Sequence, residues 1–344
     1  MAWTTLDETI DQRTHSGVGW LFSRQTFWVF LAAIAAFALM AALRPDTFAT
    51  AGNLFNVTRN FAFVAIMALG MTAVIITGGI DLSVGSLVAF SGLVGAYVAK
   101  GGLESRFAVG AAVESGNPVI LAVLAALAVG IVGGAIQGFV ITRFRVPPFV
   151  ATLAMLTAGS GLAYAIGNGA PINGLPSGYG AFANTEVFGI TIPVLLMIVG
   201  FIVFWFVLQH TTYGLRVYAV GGNSSAASLA GVPTRRMLAS VYIISGALAG
   251  VSGLMISSRV ISGAPTLGQG YELDAIAAVV IGGASLFGGR GTVWGTLLGL
   301  LLIQTLNNGL QILVIPAYWQ AVIKGALIAA AVGIDVWASR RASR

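Results

Sequence analysis

Charged residues are scarce in this sequence. Lys, Arg, Asp and Glu together make up 8% of its 344 residues, whereas hydrophobic residues make up 57%. A soluble globular chain carries about 25% charged residues, so this chain has too little charge to cover a water-exposed surface. Its apolar residues cluster in blocks close to the ~20 residues that an α-helix needs to cross a bilayer. The composition therefore predicts an all-α, polytopic membrane protein.

Cysteine is absent, and histidine occurs only at His15 and His210. These absences exclude a disulfide framework, a thiol nucleophile, a Cys-based metal site and an HExxH zinc helix. The sequence also lacks the GxSxG, GxGxxG and GxxxxGKS/T patterns of hydrolases, dinucleotide-binding proteins and ATPases. We therefore predict no catalytic residue, no metal site and no cofactor. Any energy taken from ATP must then come through another subunit.

The apolar runs are long and unbroken, as in VILAVLAALAVGIVGGAI at 119–136. A transmembrane β-strand would instead show ~10 residues of alternating polarity. In chain order the apolar blocks predict ten transmembrane helices, near 27–43, 61–78, 80–98, 118–141, 148–167, 190–208, 238–257, 274–288, 292–308 and 318–336. The chain then divides into an N-terminal segment (1–26), a membrane domain (27–338) and a tail (339–344).

Two glycine-rich stretches, GGIDLSVG at 78–85 and GGASLFGGRG at 282–291, stand where one predicted helix should pass to the next. They are too short for ordinary loops and predict broken helices, which a membrane protein tolerates only where protein or water covers the freed backbone groups. One break lies in each half of the chain. A repeat of spans 2–5 as spans 7–10 would be inverted, which is a transporter architecture with its site at the repeat interface.

Basic residues are distributed unevenly between the segments that connect the spans. With a cytoplasmic N-terminus, eleven Lys and Arg residues fall on the cytoplasmic side and five on the other, while Lys324 lies within the last span. This bias predicts that both termini are cytoplasmic. The net charge of +6 is thus explained by orientation in a lipid bilayer, without a nucleic-acid partner.

Ionisable residues inside predicted spans are functional candidates, because each is costly in lipid. Asp81, followed by Ser83, lies in the first break and could cap a helix or line a polar path. Glu272 and Asp274 open the eighth span, where carboxylates also suit the positive end of the helix dipole. Lys324 could pair with an acidic neighbour or extend its ammonium group towards water.

Uncharged polar residues are also candidates for a translocation path. Thr152, Asn168, Asn307 and Asn308 could bind a neutral polyhydroxylated solute, since amides both donate and accept hydrogen bonds. Hydrogen bonding between helices is the alternative for each of them. Phe149 could stack on a sugar ring, although aromatic residues are also common at membrane interfaces.

The longest predicted cytoplasmic loop, 209–237, contains the stretch GGNSSAASLAGVP at 221–233. Asn223 is suited to an N-cap, Gly231 to a helix stop, and Pro233 follows. The pattern predicts a helix of about two turns, far below the ~12–15 residues that give marginal stability in water. Such a helix must either pack against its own protein or dock in a partner.

Three stretches carry a resemblance: TGGIDLSVGSLVAFSG at 77–92, AVGGNSSAASLAGV at 219–232 and YELDAIAAVVIGGASLFGGRGTVWGTLLGLLLIQTLNNGL at 271–310. The chain resembles the membrane permease subunit of bacterial ABC importers for simple sugars, and it is most similar to the ribose permease group. The resemblance implies a multi-pass protein of the bacterial inner membrane that carries a monosaccharide or small polyol. It also implies a second permease copy in a homodimer rather than a heterodimer, two cytoplasmic ATP-binding subunits, and a periplasmic or lipid-anchored sugar-binding protein.

In that family the short helix after GGN docks on the ATP-binding subunit. The resemblance therefore implies an ATPase-coupling role for the matching residues Gly222, Asn223, Ala226, Ala227, Leu229 and Gly231. An ion-coupled secondary transporter of a small neutral solute is the alternative. It would be expected to show a stronger intramembrane set of carboxylates or cation ligands than Asp81 and its neighbours.

The predicted topology can be tested with single cysteines, because the chain has none of its own. A membrane-impermeant maleimide should label Ser177→Cys from outside the cell. It should label Ser224→Cys and Ser339→Cys only from the cytoplasm, as the charge bias requires. Labelling of Ser177→Cys and Ser224→Cys from the same side would contradict this topology.

Overall fold

The structure, a computed structural model, describes residues 25–101 and 118–342. Residues 1–24 and 343–344 of the predicted terminal segments lie outside the described residues. Within the described ranges the chain forms thirteen helices: α1 (Gln25–Leu43), α2 (Ala51–Ile76), α3 (Val84–Ala99), α4 (Pro118–Arg143), α5 (Pro148–Gly167), α6 (Ser177–Asn184), α7 (Ile192–His210), α8 (Thr212–Gly222), α9 (Ser224–Leu229), α10 (Thr234–Val260), α11 (Tyr271–Ile281), α12 (Val293–Ile312) and α13 (Ala317–Ala342). A two-stranded antiparallel hairpin pairs β1 (Glu186–Val187) with β2 (Ile190–Thr191).

The all-α prediction is confirmed, and each of the ten predicted spans overlaps one helix of the structure. Six helices of the described part, α1, α2, α4, α5, α7 and α10, are long and apolar enough to cross a membrane. The count of ten crossings stays a prediction. Helix α2 begins ten residues before its predicted span, because Thr50 accepts a hydrogen bond from the Asn53 amide (3.3 Å) and starts a polar first turn.

The core lies where α10 crosses α2, α3 and α4. Here α4 and α10 touch backbone to backbone, since a Cβ placed on Gly130 would lie 2.2 Å from the Gly246 carbonyl oxygen. The C-terminal two thirds of α2, from Phe61 to Ile76, is buried without interruption. Small residues thus occupy this contact instead of large apolar side chains. They let the long helices approach closely, as expected in a membrane protein.

Both predicted breaks are present. The first separates the end of α2 from the start of α3, and the second separates α11 from α12. The two breaks touch, because the Gly289 amide donates to the carbonyl oxygen of Ile76 at 2.8 Å. Gly291 belongs to the second break with φ near +155°.

The connection from α10 to α11 runs back along α3. Gly263 lies against Leu93 and Ala96 in the C-terminal half of α3, whereas Gly268 lies against Val88 and Gly85 in its first turns. The first turn of α11 is thereby brought to the beginning of α3. This juxtaposition forms one of the two polar regions described below, the one that contains Glu272.

The segment predicted as a long loop, 209–237, is almost entirely helical. It contains α8 and α9, and α10 begins within it at Thr234. Hydropathy shows only where apolar runs end and therefore could not reveal these helices. The short helix predicted after Asn223 is confirmed as α9, and Gly231 follows it with φ near +83°.

Candidate functional site

Asp81 is fully buried and is the centre of a hydrogen-bond network. Its Oδ1 accepts from the Ser83 amide (3.0 Å) and the Ser83 hydroxyl (2.6 Å), and its Oδ2 accepts from the Ser245 hydroxyl (2.8 Å). The Ser83 hydroxyl in turn accepts from the Gln137 amide nitrogen at 2.6 Å. The network fastens the first break to α4 and α10 and satisfies a carboxylate that would otherwise be costly to bury. Asp81 closes the turn before α3, while Ser83 occupies the N-cap position.

Glu272 and Asp274, predicted together, open on two different cavities on either side of α11. The Asp274 cavity, of about 170 Å³, lies between α2, α11, α12 and α13. Asp274 is paired there with Lys324 (Nζ to Oδ1, 3.0 Å) and accepts from the Asn307 amide (Nδ2 to Oδ2, 3.0 Å). The remaining lining side chains include five that can donate or accept hydrogen bonds: Asn60, Tyr271, Gln304, Asn308 and Gln311.

The Glu272 cavity, of about 190 Å³, lies between α3, α5 and the segment before α11. The Glu272 carboxylate rests against Gly85, where an added Cβ would lie 2.0 Å from Oε2. It therefore faces the positive end of the α3 dipole. Ser86, Ser160 and Gln269 add polar groups to the cavity wall.

Three of the other predicted path residues line neither cavity. Thr152 is buried and donates to the Ile80 carbonyl oxygen (3.2 Å), which ties α5 to the first break. Asn168 is the left-handed C-cap of α5 and is exposed, and Phe149 is exposed at the opposite end of that helix. Asn308 contacts the Asp274 cavity and exchanges two amide hydrogen bonds with Asn53 (2.9 and 3.0 Å).

Sequence reasoning missed several cavity residues. Gln311 is one of them, although it recurs at helical spacing with Gln304 and Asn308 on one face of α12 and was therefore detectable. Asn60 was placed outside a span because α2 was expected to begin later. Ser160 and Gln269 have no sequence signal, since only the return of the chain along α3 brings them together.

The predicted ATPase-coupling residues form one short structure on the side of the protein where both breaks lie. The Asn223 side chain accepts from the Ala226 amide at 2.9 Å and begins α9. Ala227 faces inwards, with 6% of its surface exposed, whereas Leu229 is 91% exposed. One side of α9 therefore packs against its own protein, and the other presents an apolar side chain outwards.

Long apolar helices, two helix breaks and polar cavities between the helices are the features of a membrane transport protein. Comparison with known proteins identifies the family. Residues 53–332 match the family described as "Branched-chain amino acid transport system / permease component", and the chain belongs to it.

The relatives of this chain include permeases whose names specify sugars. The ribose import permease protein of Escherichia coli is 39% identical over 95% of this chain and 98% of its own length. That of Bacillus subtilis is 41% identical over 82% of this chain and 84% of its own length. The D-allose transport system permease protein of Escherichia coli is 32% identical over 91% of this chain and 94% of its own length. No solved structure matches the chain significantly.

The Asp81 network gives a prediction for stability. Asp81→Leu removes the acceptor of buried hydroxyls on Ser83 and Ser245, and each buried donor left unpaired costs about 1–3 kcal/mol. We expect a lower melting temperature in detergent and a lower abundance in the membrane. Asp46→Leu is the control, because Asp46 is exposed. An Asp81→Leu protein as stable as this control would show that the network does not hold the break.

Proposed function

We propose that this chain is the permease subunit of an ATP-driven ABC importer that carries a monosaccharide or related small polyol across the bacterial inner membrane. The observation that carries the proposal is the identity of 32–41% to permeases for ribose and D-allose over most of both chains. An L-arabinose permease of Azospirillum brasilense is also 32% identical over 94% of this chain. Three sugar substrates among the relatives favour a sugar here.

The chemistry of the Asp274 cavity supports a neutral solute. The family description names branched-chain amino acids, and a zwitterionic amino acid would need a free carboxylate and a free cation. Asp274 and Lys324 neutralise each other at 3.0 Å, so neither charge is free for a ligand. The side-chain amides of Gln304 and Gln311 also line this cavity, and they match the hydroxyl groups of a sugar because amides both donate and accept hydrogen bonds.

The route is proposed to pass the cavities on both sides of α11. Asp274, Asn307 and Asn308 would contact the solute from one cavity and Glu272 from the other. Asp81 and Ser83 would shape the first break, as the repeat architecture favours. Phe149, Thr152 and Asn168 would act along α5, away from either cavity.

The permease is proposed to work as a homodimer with two cytoplasmic ATP-binding subunits and a periplasmic or lipid-anchored sugar-binding protein. ATP would be hydrolysed by the separate subunits, since this sequence has no phosphate-binding loop. Both permease termini would be cytoplasmic. Helix α9 would dock on the ATP-binding subunit through its outer side, where Leu229 is exposed.

Reconstituted transport tests the function as a whole. The permease would be placed in liposomes with its ATP-binding subunit and supplied with binding protein and labelled D-ribose, D-allose, L-arabinose or L-leucine. We expect uptake of at least one sugar that requires ATP and all components. Uptake of leucine alone would reassign the substrate, and uptake driven by an ion gradient without ATP would favour a secondary transporter.

The coupling surface gives a separate prediction. Leu229→Arg places a charge in the proposed contact with the ATP-binding subunit without altering any packed residue of the permease. We expect the affinity for that subunit to fall by at least about tenfold, which corresponds to ~1.4 kcal/mol. A pull-down with purified subunits measures it.

Phe188→Arg provides the matched control, since Phe188 is fully exposed on the hairpin between β1 and β2, on the predicted outer side. Ala227→Arg is less informative, because Ala227 is buried and its replacement would disturb the fold of α9 itself. Unchanged association in Leu229→Arg would show that α9 is not the docking element.

A further inference from the structure

Helix α8, which precedes the proposed coupling helix, meets the backbone of both breaks at one point. A Cβ on Gly221, in its last turn, would lie 1.8 Å from the Ile76 carbonyl oxygen and 2.7 Å from the Gly289 amide nitrogen. Ile76 is the last residue of α2, and Gly289 belongs to the second break. Only glycine leaves room for three backbone segments at this point.

A side-chain hydrogen bond makes a second connection between α8 and the second break. The Tyr218 hydroxyl, one turn before Gly221, donates to the carbonyl oxygen of Gly291 at 2.7 Å. Gly291 lies two residues before α12 begins at Val293. Tyr218 thus fastens α8 close to the start of α12.

Helix α8 is also joined to α9 without a linker. Asn223 is both the C-cap of α8 and the N-cap of α9. Because no flexible linker separates the two helices, a displacement of α9 also displaces α8. Beside this point lies an open cleft of about 620 Å³, whose lining includes Leu215, Tyr218, Arg290 and Thr292. The second break therefore has free space on one side.

We propose that Tyr218 and Gly221 are positioning residues for transport: they fasten both helix breaks to the coupling segment, so that movement of α9 reaches α11 and α12. The inference rests on the proposed function and adds a defined path to it. On the far side of the second break, α11 carries Glu272 and Asp274. The path therefore ends at the two polar cavities.

Tyr218→Phe tests the inference, because it keeps the ring and removes the hydroxyl that reaches Gly291. We expect normal association with the ATP-binding subunit and normal ATP hydrolysis. The number of sugar molecules moved per ATP should fall by about two- to tenfold, the range that the loss of a single hydrogen bond supports. A structural defect would instead lower assembly, hydrolysis and melting temperature together, and that result would overturn the inference.

The matched control is Tyr213→Phe on the same helix. The Tyr213 hydroxyl contacts Ser240 on α10 at 3.0 Å and touches neither break, so its loss should leave the transport ratio unchanged. Equal uncoupling in both variants would contradict a role specific to the breaks. Gly221→Ala should uncouple further, and if it fails to insert, Tyr218→Phe still decides.

The two levels of the proposal fail in different ways. If wild-type protein shows no ATP-dependent sugar uptake, the proposed function is wrong. If wild-type protein couples ATP to uptake and Tyr218→Phe does so equally well, only the role of α8 is wrong.

Discussion

The structure depends on one constraint: a helix that stops inside a bilayer must hide its freed backbone groups within the protein. At the first break the Gly79 amide donates to the Val74 carbonyl oxygen (3.1 Å), and the Ser83 amide donates to Asp81. At the second, the Ser285 amide donates to the Arg290 carbonyl oxygen (3.1 Å). The buried carboxylate of Asp81 and the contact between the two breaks both meet this requirement.

Features that depend on local residue patterns could be predicted from the sequence. Glycine pairs bounded the breaks, and Asn223 with Gly231 defined the ends of α9, because capping and left-handed turns need particular residue types. Lys324 was predicted either to pair with an acidic neighbour or to reach water, and the structure pairs it with Asp274. In each case the structure depends either on an interaction between residues a few positions apart or on a pair of charged residues in a chain that has few of them.

Features that depend on which distant segments the fold brings together could not be predicted from the sequence. Glu272 and Asp274 are two residues apart and were expected in one path, but they point to different sides of α11 because its first turn is wedged between α3 and α12. Helix α8, within 209–237, was missed for a related reason, because tertiary contacts with both breaks hold it in place.

The two breaks are fastened to different degrees, and this asymmetry bears on how a transporter of this design can move. The first is held by hydrogen bonds from Ser83 and Ser245 to a fully buried carboxylate. The second is held by backbone contacts, by the Ser285 hydroxyl and by Tyr218, with Phe287 66% exposed beside an open cleft. Segments with fewer buried contacts open at lower free energy. A displacement of α8 should therefore shift the second break and α11 before it disturbs Asp81, so that the two polar cavities change shape while the core of α2, α4 and α10 stays fixed.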